Sequence, residues 1–170
     1  MNTGQMILTA GAMMLISILI LTITTTQLTT QDSMQNSKFG VLAISLGSSI
    51  LEMATQKAFD ENSTEDALTL TNQLTLSKDF GAGKEAGEFK DSMHTWDDYD
   101  DFHGYTNVDT TMPSAFFQIA CTVEYVAPSG GALVVSANRT WHKMMTVTIT
   151  SPSMMDPLIL RKVFSYWNLP

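Results

Sequence analysis

MILTAGAMMLISILILTI, residues 6–23, is the stretch that decides how this chain folds. No charged side chain occurs before Asp32, so the run is apolar on every side of any helix it forms. As a helix rising about 1.5 Å per residue it would span roughly 27 Å, close to the ~30 Å hydrocarbon core of a bilayer. Such a segment cannot stay in water alone; it enters a membrane or packs against other apolar helices. A cleaved secretory signal is the competing reading. It would bring a basic leader and a small-x-small cleavage site, whereas Met1 to Gln5 has no Lys or Arg and the run ends in Thr24-Thr25-Thr26-Gln27.

Beyond Asp32 the sequence turns mixed and polar, yet Phe39, Leu42, Leu46, Ile50 and Met53 recur at steps of three and four, the spacing of one helix face. No proline occurs before Pro113. The spacing therefore predicts one helix from about Gln5 to Ala58, roughly 80 Å long at the standard rise, with an apolar first half and an amphipathic second half. Thr22 to Thr30 is its weak point, because threonine hydroxyls bond to carbonyls one turn back and bend helices, so a bend or unwound stretch is expected near Thr24 to Thr30. Ala43 and Gly47 form a small-xxx-small pair that would let another backbone approach. The better reading is that they face their own sheet, since motifs this short match often by chance.

About 110 residues follow the helix, enough for a single core. Asp60 to Thr64 reads as a helix stop, and Lys78 to Lys90 (KDFGAGKEAGEFK) as loop. In Phe117 to Tyr125 the residues Phe117, Ile119, Cys121, Val123 and Tyr125 alternate with Gln118, Ala120, Thr122 and Glu124, the period of a half-buried strand. Pro128-Ser129-Gly130-Gly131 is a turn, Ala132 to Ser136 a second strand, and Trp141 to Thr150 a third, in which Met145, Val147 and Ile149 alternate with threonines. Leu158 to Trp167 closes an antiparallel meander packed on the amphipathic half of the helix. The fold class is α+β. Residues 1–4 are a possible leader, 5–31 the apolar helix, and 32–170 a soluble domain.

The formal net charge is −8, with every charged side chain after the apolar run and no basic cluster, which excludes a nucleic-acid surface. Cys121 is the single cysteine and lies on the apolar face of its strand, where a buried structural thiol is expected.

Trp96-Asp97-Asp98-Tyr99-Asp100-Asp101-Phe102-His103-Gly104 carries four carboxylates in a short span. Clustered carboxylates suit a hard cation, so Asp97, Asp98, Asp100 and Asp101 are a weak calcium candidate, but the spacing is not that of an EF-hand. The favoured expectation is a solvated acidic loop held by Trp96, Tyr99 and Phe102, with no resident cofactor. His94, His103 and His142 have neither HxxxH nor HExxH spacing, and no GxSxG is present. Nothing points to an enzyme. Asn62-Ser63-Thr64 and Asn138-Arg139-Thr140 match glycosylation sequons, patterns short enough to be incidental.

A short leader ending at Gly4, an uncharged helix continuing as an amphipathic one, an acidic aromatic loop and a terminal antiparallel sheet together resemble type IV pilins and pseudopilins. The resemblance is nearest to the minor, MSHA-type members and is carried by DDYDDFHGY (residues 97–105), TWHKMMTVTITSP (residues 140–152) and a last strand like Leu158 to Trp167. It implies cleavage between Gly4 and Gln5, and an assembly helix that uses Met6, Leu8, Met13, Leu15, Ile18, Leu19, Leu21 and Ile23. The partners it implies are further copies of the chain or other pilin-like subunits, the membrane, and an assembly platform. The implied location is the inner membrane, followed by a surface filament. Three departures stand against the family pattern: no Lys or Arg precedes Gly4, Thr9 occupies the position of the family's glutamate, and the helix lacks the family's proline. The alternative expectation is a singly anchored surface domain that binds or adheres without polymerising.

Overall fold

The computed structural model describes residues 2–64, 67–84, 87–90, 92–111 and 115–166. A run of apolar, small and hydroxyl residues without proline gives one unbroken helix, α1, over Thr3–Thr55. The unwound stretch expected near Thr24 to Thr30 is absent. Thr22 donates its hydroxyl to the Ile18 carbonyl at 2.9 Å, Thr26 to that of Thr22 at 2.8 Å, and Thr30 to that of Thr26 at 2.8 Å. These hydroxyls share carbonyls already in the helix ladder and take no amide from it, so the backbone bonds survive. The helix stops at Thr55, short of the expected Ala58. Beyond it the Ala58 amide turns to the Asp97 carbonyl at 3.0 Å, and the Lys57 ammonium reaches the Trp96 carbonyl.

Two compact units divide the chain, Met1–Phe39 and Gly40–Pro170. In the first, every described residue from Asn2 to Gln35 is exposed. In the second, the helix buries Ala43, Gly47, Ile50, Leu51 and Ala54, while Leu42, Leu46 and Met53 are half-buried. Small residues thus share the contact face with Ile50 and Leu51, while Leu42, Leu46 and Met53 flank it. A methyl on Gly47 would lie 2.7 Å from Leu160 Cδ1 and 3.0 Å from Ile149 Cδ1, so the small-residue pair faces its own sheet.

The sheet is antiparallel in the order β1–β2–β4–β5, with β1 at Thr106–Asp109, β2 at Phe117–Ser129, β4 at His142–Thr150 and β5 at Leu158–Ser165. β3, Ala132–Val135, pairs with the far end of β2. Cys121 stands opposite Val147, and Val147 opposite Leu160. Alternation puts Phe117, Ile119, Cys121, Val123 and Tyr125 inside from β2, and Lys143, Met145, Val147 and Ile149 inside from β4. The four-residue turn expected at Pro128 to Gly131 is tighter. Pro128 and Ser129 belong to β2, and the reversal is made by Gly130 and Gly131 alone, at φ 61° and 84°. Positive φ at both central residues is what a two-residue hairpin requires. β1 was not expected; it is short and largely exposed, so no burial period marks it. β5 ends at Ser165, and Trp167 lies outside the described residues. A long helix on an antiparallel sheet makes the fold α+β.

Candidate functional site

Trp96, Tyr99 and Phe102 are spaced three apart, and all three are buried. The Trp96 indole donates to the Phe89 carbonyl at 2.9 Å and meets the rings of Phe102 and Tyr105 edge-on, at centroid distances of 4.9 Å and 5.3 Å. Anchors at that spacing draw the intervening acids inward with them. The expectation of a solvated loop is therefore corrected, since Asp98, Asp100 and Asp101 are buried and Asp97 alone is exposed. Their oxygens go to different partners. Asp98 Oδ1 accepts the amides of Asp100 at 2.8 Å and Asp101 at 3.1 Å, while Asp101 Oδ2 accepts those of Asp97 and Asp98, both at 3.1 Å. Asp100 Oδ1 contacts the Lys143 ammonium. Asp97 and Asp101 instead share their surroundings with Glu88, with one oxygen of each within 4.8 Å of the others. Acids gather this way without any ion, so the grouping by itself assigns no metal.

Lys143 was not singled out by sequence, although it lies two residues before Met145 on the inward-facing phase of β4. It is wholly buried, and its ammonium donates to the Phe59 carbonyl at 2.8 Å, to Asp60 Oδ2 at 2.9 Å and to Asp100 Oδ1. All three donors are thereby used. The rings of Phe59, Phe80 and Tyr125 enclose it, with centroids 4.7, 5.0 and 5.5 Å from Nζ. Asp60 reads in sequence as part of a helix stop. Here its two oxygens also accept the Thr75 amide at 3.1 and 3.0 Å, the Thr75 hydroxyl at 3.0 Å and the Asn62 amide at 3.2 Å. An unpaired buried charge would be strongly destabilising, and this partner set removes the penalty.

The carboxyls separate electrostatically. Burial pushes Asp100 well above the usual carboxylate range, with Asp98 and Asp60 adding to the push and Lys143 opposing it. Burial also raises Asp98. Asp101 is pushed up to about 8, first by burial and then by its hydrogen bond with Glu88 and the charge of Asp98. Burial acts the same way on Asp60, but the Lys143 ammonium and the Thr75 bonds outweigh it and hold Asp60 below the usual value. Lys143 is lowered by burial, yet the charges of Asp100, Asp60 and Asp98 prevail and raise it. Burial pushes the Cys121 thiol up to about 12, leaving it inert as a nucleophile.

The remaining sequence candidates lie in the first unit. Met6, Leu8, Met13, Leu15, Ile18, Leu19, Leu21 and Ile23 are all at least half exposed and point around the full circumference of α1. By length and composition this helix is able to cross or anchor in a membrane. Gly4 and Gln5 sit in its first turn, where the Gln5 amide bonds the Asn2 carbonyl at 2.9 Å. The Thr9 hydroxyl is directed to the Gln5 and Met6 carbonyls of its own helix, each at 3.0 Å. Two of the histidines are taken up by the sheet: His103 Nδ1 lies 2.8 Å from the Val123 carbonyl, and His142 Nδ1 lies 2.7 Å from Ser165 Oγ.

Compared with known proteins, the chain matches no family model, no curated protein and no solved structure.

Proposed function

We infer that the chain is a structural subunit of a type IV pilus-like or pseudopilus filament, held in the membrane by α1 before assembly and bundled through it afterwards. One observation carries the reading: the helix is apolar around its whole circumference from Met6 to Ile23, and the same helix continues as one face of a folded domain. Apolar side chains on every side need lipid or other helices, and a subunit that exchanges one for the other needs both to be acceptable. The partners are then further copies of this chain or related subunits, together with an assembly platform at the membrane. The sheet domain faces outward at the cell surface.

The alternative is a monomeric surface domain on a single membrane anchor, which the same helix supports. Substitution within the helix separates the two. Leu15→Lys and Ile18→Lys each place an unpaired charge in a helix bundle, at a cost of several kcal/mol, and should abolish filaments in negative-stain images of sheared surface material. Filaments of normal length from either variant would overturn the polymer reading. An anchored monomer would show no filaments from the unsubstituted chain and would run as a single copy in detergent.

A further inference from the structure

We propose that Lys143 and Asp100 condense into an intramolecular amide that ties β4 to the loop after Trp96, with Asp60 as the proton carrier. The bond would form within the folded domain and needs no other protein.

An ion pair needs one carboxylate, and the Lys143 nitrogen has two. Asp100 Oδ1 and Asp60 Oδ2 both contact Nζ, and the three side chains are buried to 4% exposure or less. Condensation calls for this set: a nucleophilic nitrogen, a carboxyl to be attacked, and a second carboxylate that moves protons. The two acids are differentiated for those roles. Asp60 is fixed by Thr75 and Asn62 and kept ionised, which suits a base. Asp100 is held against the Lys143 ammonium, fixed through its amide by Asp98 Oδ1 at 2.8 Å and pushed toward its neutral form, which suits an electrophile. The rings of Phe59, Phe80 and Tyr125 wall the nitrogen off, so the amine is desolvated and the released water has no reservoir from which to return.

The step balances without an outside reagent. The ammonium first passes a proton to the Asp100 carboxylate it already contacts, giving an amine and a carboxylic acid. The nitrogen lone pair attacks Asp100 Cγ, and the carbonyl π pair moves to oxygen. Asp60 takes a proton from the nitrogen and delivers it to the acid's hydroxyl, which leaves as water with the C–O bonding pair. The carbonyl re-forms, and Asp60 returns to its carboxylate. Water opposes such condensations in solution, but fixed contact between the reacting groups corresponds to an effective molarity of roughly 10⁵–10⁸ M.

The test is the intact mass of the full chain, purified in detergent and then denatured. The expected mass is lower than the sequence requires by one water. After trypsin, residues 91–139 should be joined to residues 140–161, with no cut after the acylated Lys143. Asp100→Asn should give the same linkage with loss of ammonia in place of water. Asp60→Asn, checked for a native circular-dichroism spectrum, should keep the full mass of its own sequence. A wild-type chain at full sequence mass would overturn the proposal. So would a loss of water without the joined peptides, which would indicate a local succinimide.

Discussion

In the chain whose Lys143 is still an ammonium, that one group organises the charged interior of the domain, and the acids around it do not titrate alike. Asp101 is the clearest case, because its folded value of about 8 lies well above the ordinary 3.8. Between those two values the folded chain holds a proton that the unfolded chain has released. Its contribution to stability is therefore fully present below the ordinary value and is lost as pH rises through about 8. Asp60 acts in the opposite sense. Its folded value is depressed, so its contribution is present above the ordinary carboxylate value and disappears on acidification. The melting temperature should accordingly peak at mildly acidic pH and decline toward the alkaline side. Asp101→Asn keeps an oxygen for the Asp97 and Asp98 amides and should flatten the alkaline decline. A wild-type melting temperature that rises from mildly acidic to mildly alkaline pH would contradict this account.

The helix meets the sheet through small side chains, and two glycines separate packing from propensity. Gly47 has Leu160 and Ile149 methyls within 3.0 Å of where a Cβ would stand, whereas Gly40 has nothing within 4 Å. Gly47→Leu should destabilise the domain by about 1–3 kcal/mol through overpacking. Gly40→Ala should stabilise it by about 0.5–1 kcal/mol through helix propensity alone. Denaturant melts of both variants check the contrast, and an equal response would mean that neither glycine faces the sheet. Sequence period was enough to find the second half of α1, β2 and β4, because each carries a repeat of burial along its length, whereas β3, wholly exposed, was legible only from the Gly130-Gly131 turn before it. β1 was missed because its four residues, three exposed and one half-buried, carry no period. The ammonium cluster was half legible. Lys143 keeps step with Met145, Val147 and Ile149, but its partners Asp60 and Asp100 come from distant loops, and no local pattern joins them. The acids after Trp96 were misjudged because adjacent carboxylates look solvent-seeking until backbone amides are found pointing at them.

At the scale of the molecule, removal of residues 1–4 would leave Gln5 as the first residue of the helix. If the filament reading holds, Gly4→Leu should leave a precursor longer than the mature chain, visible by intact mass. Recovery of unmodified Met1 from wild-type filaments would show that assembly proceeds without cleavage. The threonine hydroxyls between Thr22 and Thr30 bear on how such a chain would sit in lipid. Each is turned onto its own backbone, so outside Gln27 that stretch presents methyl groups. The greasy sleeve then runs from Met6 to Thr30, roughly 37 Å at the helical rise, against a hydrocarbon layer of about 30 Å. A rod longer than its socket has vertical slack. In a membrane it would be able to tilt, or ride up by about one turn, before any charge is dragged into oil, and if the filament reading holds the first movement out of the bilayer would meet only a shallow gradient.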